Sequence, residues 1–552
     1  MNPNPEKLNK YLYIEKTPTW LVRAIYLFGI VSWLLVVFGF TGLVVIDPFY
    51  RWVIAPIIVF FTIYHIASFG LNLFYQQFDL KKHHSLIEKF WISHIEPTID
   101  IFLPICGEDV SVLRNTWKYV SQLQYRNKHV YVLDDSMGGE CIEHERMTKE
   151  YGFNYLSRPN KGEMKKAGNL KYAYERTEGE FIVIFDADFA PHHNFLKELL
   201  PYMQDQKVGI VQSPQYFETN SEVHHRSPLQ YGAGYSEEPF YRFIQVTRNR
   251  LGGTICCGSN AIYRRVALDQ IDGTAQVPYS EDARTGFRLA SKGWKIQYVP
   301  VLLAVGLCPE NAYSYFHQQH RWCMGSMSLM LSREFWRSPI SWKTRLCYVT
   351  GFMFYLHHPL TILFSFQLFW ALFFYNQYIS LANAVLFYPH LLFAIIYLGF
   401  FPILRFRWGV FYAMLMQVYS YSHAIVTAFL NNSVSWIPTN VRHMSVSAAF
   451  RQTMVAVSIY VFVYLSLIAL TIRKSMLHPL NYDYYSVQFW LFYNLILSCI
   501  LLWQMYWAVK ETQSQQVANG AVSNSALIKW QIKTAGLYVV LTLAVFFGIL
   551  YL

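Results

Sequence analysis

Charged side chains are scarce in this sequence. Asp, Glu, Lys and Arg make up 15% of the 552 residues, whereas hydrophobic residues make up 53%. Ordinary soluble domains carry roughly a quarter of their residues as charged side chains. A chain so poor in charge is hard to keep in solution, and its apolar residues are gathered in long runs. The composition therefore excludes an ordinary soluble protein and favours a membrane protein.

Cysteine pairs and a secretion signal are missing as well. The eight cysteines are scattered and none forms a CxxC pair, so a zinc site is not expected. The N-terminal MNPNPEKLNKYLYIEKTPTW is polar and lacks the apolar core and cleavage site of a secretory signal peptide. No recognition helix or aromatic-basic RNA motif accompanies the net charge of +11, so nucleic acid is not an expected partner.

Apolar runs long enough to cross a bilayer flank a more polar middle segment. Two runs precede it and six follow, near 24–46, 53–75, 351–375, 381–403, 408–430, 450–472, 486–509 and 534–552. The run 408–430 contains Gln417, Ser420, Ser422 and His423, so we expect an interfacial helix that lies on the membrane. About seven true spans remain.

Basic residues predict the orientation of these runs. Lysine and arginine pairs follow the second and fourth runs and precede the last, at Lys81 and Lys82, Arg405 and Arg407, and Lys529 and Lys533. This predicts a multi-pass protein of the plasma (inner) membrane with the middle segment in the cytosol. The predicted divisions are a tail with two spans (1–94), a cytosolic domain (95–330), an interfacial helix region (331–350) and a C-terminal membrane region (351–552).

The middle segment alternates short β-rich runs with helical stretches. Predicted strands lie at 98–104, 129–135, 181–188 and 208–214, and an amphipathic stretch such as 110–123 lies between them. This alternation indicates an α/β domain with a Rossmann-like, mostly parallel sheet and helices on both faces. In such sheets ligands bind beyond the carboxyl ends of the strands, and two of these strands end in aspartates.

Acidic pairs mark three places in this domain, and an Arg-Trp pair marks a fourth. They are Asp134 and Asp135 of VLDD, Asp186 and Asp188 of FDADF, Glu281 and Asp282 of YSEDA, and Gln318, Arg321 and Trp322 of QQHRW. Mg²⁺ and Mn²⁺ prefer oxygen ligands and are usually shared between carboxylates and substrate phosphates. A DxD pair alone favours a solvated loop. All four groups in this order, between membrane runs, are much harder to attribute to chance.

The series D, DxD, (T/S)ED and QxxRW resembles that of inverting family-two glycosyltransferases of the processive type found in cellulose synthases. Further stretches similar to bacterial cellulose synthases are KKAGNLKYA (165–173), VQSPQYF (211–217), CCGSNAIYRR (256–265) and GFRLASKGWKIQYVP (286–300). The resemblance covers about 95–330. It implies a glycosyltransferase-A-like domain, a nucleotide-sugar donor and a growing polysaccharide acceptor.

The resemblance also implies roles for the acidic residues. Asp188, with Asp186 beside it, would hold Mn²⁺ or Mg²⁺ against the departing diphosphate. Asp282, next to Glu281, would be the general base that takes the proton of the acceptor hydroxyl. Direct displacement would turn an α-linked donor into a β-linked product.

Further residues would bind the nucleotide. Asp135, with Asp134 beside it, and Glu108 would meet the uracil and ribose. The family more often has an aromatic-Asn-Glu run where this chain has Cys106-Gly107-Glu108, so Glu108 departs from the pattern. Lys166 would meet the nucleotide or its phosphates, with an ordinary solvated lysine as the alternative.

The Arg-Trp pair suits a diphosphate and a sugar. Arg321 can bind a diphosphate through two hydrogen bonds, and Gln318 lies on the same helical face. Trp322 offers a flat apolar surface for a sugar ring. The resemblance places this tryptophan beneath the terminal sugar of the acceptor. The alternative is an interfacial tryptophan with a snorkelling arginine.

A loop after the interfacial helix, at 433–443, resembles the gating loop of cellulose synthases. Trp436, Thr439 and Arg442 stand at the aromatic, threonine and basic positions, while Pro438 replaces the usual valine. Such a loop would close over the donor diphosphate. A plain structural turn is the alternative.

The leading hypothesis is a processive synthase that extends a β-linked polysaccharide and passes it through its own helices. UDP-glucose is the first choice of donor, with UDP-N-acetylglucosamine and GDP-mannose as alternatives. A non-processive transferase acting on a lipid is the second hypothesis, and a transporter or scaffold with an inactive transferase domain is the third. Membrane lipids are expected partners, together with export or regulatory subunits.

Overall fold

The computed structural model describes residues 3–15, 18–93, 96–217, 228–309, 311–374, 385–400, 409–430, 446–477 and 485–518. An α/β unit fills the middle of the chain, and long helices precede and follow it. The strands of the described part are β1 Ile99–Ile105, β2 Lys128–Asp134, β3 Asn154–Leu156, β4 Phe181–Ile184, β5 Ala190–Pro191, β6 Val208–Gln212, β7 Tyr216–Phe217, β8 Ala261–Arg264, β9 Lys295–Tyr298 and β10 Ala304–Gly306.

The helices are numbered along the described residues in the same way. They are α1 Thr19–Ile46, α2 Ala55–Asn72, α3 Leu80–Ser93, α4 Val110–Ser121, α5 Glu140–Glu150, α6 Lys165–Tyr174, α7 Phe195–Leu199, α8 Pro228–Ser236, α9 Gln245–Leu251, α10 Arg265–Asp269, α11 Glu281–Ser291, α12 Ala312–Met330, α13 Arg333–Arg337, α14 Trp342–Phe374, α15 Tyr388–Ala394, α16 Gly409–Phe429, α17 Ala448–Leu477 and α18 Tyr485–Ala518.

A seven-stranded sheet in the order β3-β2-β1-β4-β8-β6-β9 is the centre of the α/β unit. The pairs β2–β3, β1–β2, β1–β4 and β6–β9 are parallel, whereas β8 runs antiparallel to β4 and to β6. The strands β5, β10 and β7 form a separate small sheet. The predicted α/β domain with a mostly parallel sheet is therefore confirmed, with β8 as an antiparallel insertion.

Continuous apolar runs explain why the central strands lie where they do. Every residue of β1, β4 and β6 is buried, as expected for strands covered on both faces. The amphipathic helix α4 covers one face and buries Leu113, Trp117 and Val120. Asp109 caps this helix, because its side chain accepts a 2.8 Å hydrogen bond from the Ser111 amide.

The register of the parallel strands brings their carboxyl ends to one edge of the sheet. Ile105 at the end of β1 pairs with Asp134 at the end of β2, and Ile184 at the end of β4 pairs with Phe102 of β1. The segments that follow β1, β2 and β4 therefore emerge side by side. They contain Glu108, the Asp134–Asp135 pair and the DAD sequence at 186–188.

The described part of the chain contains four helices long and apolar enough to cross a membrane: Thr19–Ile46, Tyr50–Asn72, Ala448–Leu477 and Val487–Thr512. They coincide with four of the predicted apolar runs. Residues 351–374 of the run 351–375 lie within α14, which has Pro359 inside it and is not among the four. The run 534–552 and parts of 381–403 lie outside the described residues. The predicted count of seven spans is therefore not confirmed.

The run predicted as an interfacial helix is α16. It packs against α8, α12 and α14. Its polar residues face α12: the Ser420 hydroxyl donates to the Phe316 carbonyl at 2.8 Å, and the Gln417 amide donates to the Tyr315 hydroxyl at 3.0 Å. The placement of α16 along a membrane surface stays a prediction.

Candidate active site

A cavity of about 320 Å³ lies at the carboxyl edge of the central sheet. It is lined by side chains from all four sequence motifs. The predicted site residues among its walls are Glu108, Asp135, Lys166, Asp186, Asp188, Glu281, Asp282, Gln318, Arg321 and Trp322. Asp134 is not in this wall, and Trp436, Thr439 and Arg442 lie outside the described residues.

The loop after β4 places two carboxylates in the cavity. The Asp186 amide donates a 3.0 Å hydrogen bond to the Ser259 hydroxyl, and the Thr116 hydroxyl donates to the Ala187 carbonyl at 2.8 Å. Both bonds hold the loop in place. Burial raises the pKa of Asp188 to about 7, and repulsion from Asp186 and Glu108 adds to this rise. The acids therefore form a strongly negative region that favours a cation.

Lys166 lies between the two acidic motifs. The turn before it has two residues in the left-handed region, Met164 and Lys165, and this turn opens α6. The Lys166 ammonium bonds to the Asp186 carboxylate and lies 3.7 Å from Glu281 Oε1. Burial opposes its charge, but the attraction of Asp186 and Glu281 outweighs burial, so the pKa of Lys166 is raised. Lys166 thus faces the cavity, and the solvated-lysine alternative does not describe it.

Asp282 stands in the first turn of α11, close to the backbone of the loop before β8. A Cβ added to Gly258 would lie 2.8 Å from the Asp282 side chain, and Gly258 has a φ of +81°. Burial, and then repulsion from the neighbouring Glu281 carboxylate, raise the pKa of Asp282 to about 7. A carboxyl group with its pKa near neutrality suits a general base.

The loop before Asp282 is seated on α12, the helix of the Arg-Trp pair. Ser280 has a φ of 48° and rests on Gly325, where a Cβ would lie 2.0 Å from the Ser280 hydroxyl. Glycine at 325 therefore allows the two elements to approach closely. This contact connects the general-base candidate with the helix that presents Gln318, Arg321 and Trp322.

Arg321 reaches the cavity from α12. Burial lowers the pKa of its guanidinium to about 10, and the nearby carboxylates, chiefly Glu281 and Asp186, oppose this decrease. Gln318 and Trp322 line the same cavity and are partly exposed. Asn311 caps the start of α12 by accepting a 3.0 Å hydrogen bond from the Ser314 amide. The helix thus presents a cation, an amide and an indole to one space.

The two aspartates of VLDD occupy different environments. Asp134 is fully buried and accepts hydrogen bonds from the Ser136 amide at 2.8 Å and the Tyr155 hydroxyl at 2.8 Å, and its Oδ2 lies 3.1 Å from His144 Nδ1. Burial opposes the charge of Asp134, but these bonds outweigh it and lower its pKa to about 2. Asp134 therefore holds the loop and does not reach the cavity.

Asp135 faces the cavity, but it already has a cationic partner. Arg158 donates two 2.7 Å hydrogen bonds to its carboxylate, and the Gly162 amide donates at 3.1 and 3.2 Å. Arg158 is itself buried. Arg158 was not predicted from the sequence, because an isolated arginine 23 residues after the aspartate belongs to no recognisable motif.

Glu108 folds back onto its own loop. The Cys106 amide donates to Glu108 Oε2 at 2.5 Å. Burial raises the pKa of Glu108 although this bond opposes the rise. The Cys-Gly-Glu sequence, which departs from the family pattern, still places the carboxylate in the cavity wall.

The segment that contains most of this cavity is similar to known proteins. Residues 97–325 match the family described as "Glycosyltransferase like family 2". Over 287 residues the chain is 34% identical to cellulose synthase 1 of Komagataeibacter xylinus, covering 49% of this chain and 18% of that protein. It is 32% identical over 284 residues to the UDP-forming cellulose synthase 1 catalytic subunit of the same organism, covering 49% of this chain and 38% of that protein.

Among solved structures, a mannosyltransferase from Pyrobaculum calidifontis, in complex with GDP-Man and Mn²⁺, is similar with a TM-score of 0.49 and 16% identity. That alignment covers 68% of this chain and 99% of the mannosyltransferase. The family match confirms the predicted resemblance to family-two glycosyltransferases for the segment 97–325. The aligned part spans less than two fifths of either curated relative.

Proposed function

We propose that this protein is a processive, membrane-embedded β-glycosyltransferase that polymerises a UDP-sugar, with UDP-glucose as the first choice of donor. One observation carries the proposal: a single cavity brings together a DxD pair, a buried general-base candidate, and an Arg-Trp pair. Both relatives are named cellulose synthases and one of them is named UDP-forming, which supports a UDP-sugar and a β-glucan such as cellulose.

The residues present fit a divalent cation. Asp186 and Asp188 supply oxygen donors on one short loop, where burial, and then repulsion from Asp186, raise the pKa of Asp188, and a bound cation would oppose this rise. Mn²⁺ or Mg²⁺ held there would neutralise negative charge on the departing diphosphate. Asp186 also bonds to Lys166, whose ammonium would lie near the phosphates.

The nucleotide is held by the edge of the sheet. Asp135, fixed by Arg158, and Glu108 meet the nucleoside end of the donor. Arg321 binds the diphosphate through its planar guanidinium, and Gln318 assists from the same face of α12. These contacts orient the sugar so that its anomeric carbon faces Asp282.

Asp282 takes the proton from the acceptor hydroxyl as this hydroxyl attacks the anomeric carbon. The bond to the UDP oxygen breaks on the opposite side, so the configuration inverts and the product is β-linked. The indole of Trp322 supports the terminal sugar of the acceptor by stacking on its apolar face. Burial, together with the Glu281 carboxylate beside it, keeps the pKa of Asp282 high, which strengthens it as a base.

The surrounding helices support a membrane setting. We propose a multi-pass protein of the plasma (inner) membrane with about seven spans, a cytosolic catalytic domain, and a path for the polymer through the helices. Trp436, Thr439 and Arg442 would form the gating loop over the donor. Export or regulatory subunits are further proposed partners.

Incorporation of radiolabel from UDP-glucose by the purified protein in nanodiscs, with Mn²⁺ or Mg²⁺, tests this function. We expect cation-dependent, β-linked product that is lost in Asp282→Asn by about 10²-fold or more, as for loss of a general base. Asp272→Asn is the matched control, because Asp272 is an exposed aspartate away from the cavity.

Absence of incorporation with UDP-glucose but activity with UDP-N-acetylglucosamine or GDP-mannose would change the donor and keep the reaction class. Label found only in a lipid-sized product would support the non-processive lipid transferase. Activity that is equal in Asp282→Asn and in the control would contradict the assignment of the base.

A further inference from the structure

A partly exposed carboxyl group lies next to helix α12 without a cationic partner among the described residues. Glu237 directly follows α8, and its Oε1 is 3.4 Å from the side-chain nitrogen of Gln319 and 3.5 Å from that of Gln417. Burial raises the pKa of Glu237 to about 7, and the Gln319 amide only partly opposes this. The next residue differs: Glu238 bonds to Arg242 at 2.8 Å.

The carboxylate of Glu237 is incompletely satisfied. An ionised carboxylate can accept about four hydrogen bonds, and contacts of 3.4–3.5 Å are at the long limit for an amide donor. Removing a charged group with so few partners from water is unfavourable. The site therefore has accepting capacity for donors that a ligand would bring.

The groups behind Glu237 are themselves fixed by hydrogen bonds. The Tyr421 hydroxyl donates to the Gln319 side-chain oxygen, and the Gln417 amide donates to the Tyr315 hydroxyl at 3.0 Å. These bonds turn the amide nitrogens towards the carboxylate. Gln319, Gln417, Tyr315 and Tyr421 are all buried, whereas Glu237 keeps partial exposure. The carboxylate therefore contacts fixed polar side chains on one side and is partly exposed on the other.

Close packing of α8 on α16 fixes the position of Glu237. A Cβ on Gly232 would lie 1.8 Å from the carbonyl oxygen of Gly409, so only glycine allows this approach. Glu237 follows the end of α8 by one residue. Its backbone is thus anchored to the same helix that supplies Gln417.

Glu237 contacts the helix that presents Gln318 and Trp322 to the cavity. Tyr315, Gln318, Gln319 and Trp322 follow the i, i+3, i+4, i+7 pattern and share one face of α12. Gln318 and Trp322 line the cavity, and Gln319 contacts Glu237. Gln319 and Trp322 are three residues apart, which is about 4.5 Å along a helix axis.

We propose that Glu237 binds a hydroxyl group of the acceptor chain, on the sugar behind the one that stacks on Trp322. This inference rests on the proposed function, because it takes the ligand to be a neutral, hydroxyl-rich chain. Sugar hydroxyls are donors that suit an under-satisfied carboxylate, and among the described residues Glu237 belongs to no group of three or more candidate metal ligands.

Binding of β-linked hexasaccharides to the full-length protein in nanodiscs, with UDP present, tests the inference. The probes are cellohexaose, laminarihexaose and chitohexaose. We expect Glu237→Leu to weaken the hexasaccharide that binds best by about tenfold, as for loss of a hydrogen bond to a charged group. Glu237→Gln keeps the size and one acceptor oxygen, so its loss should be about threefold. The Kd for UDP should stay unchanged in both variants.

Glu150→Gln, a change at an exposed carboxylate far from the cavity, is the control. Wild-type hexasaccharide affinity in Glu237→Leu would overturn the inference. If Glu237→Leu loses UDP binding through misfolding, Glu237→Gln decides: an unchanged Kd overturns the inference, and a selective loss supports it. Failure of the wild type to bind any of the three hexasaccharides also overturns it.

The two proposals fail in different ways. A wild type that binds a hexasaccharide through Glu237 but forms no polymer would retain the subsite and refute the synthase. A wild type that polymerises while Glu237→Leu binds hexasaccharide normally would retain the synthase and refute the subsite.

Discussion

At the scale of single residues, the two neighbouring aspartates of the VLDD motif have different surroundings. Asp135 faces the cavity, whereas Asp134 turns inwards to Ser136, Tyr155 and His144. The sequence predicted that both would bind the nucleotide, because two adjacent carboxylates look alike in a motif. Both are buried, and only the backbone path at the end of β2 decides which of them faces the cavity.

The buried network around Asp134 predicts a pH-dependent stability. Because the pKa of Asp134 falls from 3.8 to about 2, its contribution is complete above about pH 4 and is lost as pH falls towards 2. Its partner His144 has a raised pKa, so the charged imidazole stops contributing as pH rises through that value. The shift of Asp134 corresponds to about 2 kcal/mol.

Asp134→Asn should therefore lower the Tm at pH 7 by about 5 °C and remove this dependence below pH 4, as followed by thermal unfolding in detergent. Asp205→Asn is the control, since Asp205 also has a lowered pKa, through Lys295, but is exposed. A surface pair contributes little, so the control should unfold near the wild-type Tm. Equal Tm losses in both variants would show that the buried network around Asp134 is no more stabilising than a surface pair.

At the scale of elements, α12 and the loop before α11 are in close contact. Gly325 lets Ser280 approach α12, and Asp282 follows Ser280 by two residues. The position of the general-base candidate therefore depends on a glycine in the helix that presents Arg321 and Trp322. Neither the SED motif nor the QxxRW motif reveals this contact, since the residues are 45 positions apart.

Gly325→Ala should displace Ser280, because its Cβ would meet the serine hydroxyl at 2.0 Å. We expect kcat to fall by about 10²-fold, the effect of roughly 1 Å of misplacement at a reacting group. Gly351→Ala is the matched control, since its Cβ in another helix meets its nearest neighbour at an ordinary 3.5 Å. Steady-state release of UDP measures both. Normal kcat in Gly325→Ala would show that this contact does not position Asp282.

The strands were predictable where their apolar character is continuous. The runs at 98–104, 129–135 and 208–214 correspond to β1, β2 and β6. Every residue of β1 and β6 is buried, whereas β2 buries only Val130 and the three residues 132–134. The antiparallel strand β8 was not predicted. Its place between β4 and β6 depends on pairings between distant segments, which no local pattern records.

At the scale of the whole molecule, the catalytic cavity and the long helices belong to one chain. Helix α12 lines the cavity and also packs against α14 and α16. A sugar chain that stacks on Trp322 would therefore start its exit beside the helices. The sequence predicted the α/β domain and the apolar helices, but it could not show that α12 contacts both the cavity and the long helices.

Processive polymerisation is tested by the size of the product at low conversion of the donor. Radiolabelled product would be sized when only a few per cent of the donor has been consumed. A processive enzyme should give long chains from the first time points, and afterwards the number of chains should increase rather than their length. Short products that all grow gradually with time, or a single sugar on a lipid, would contradict it.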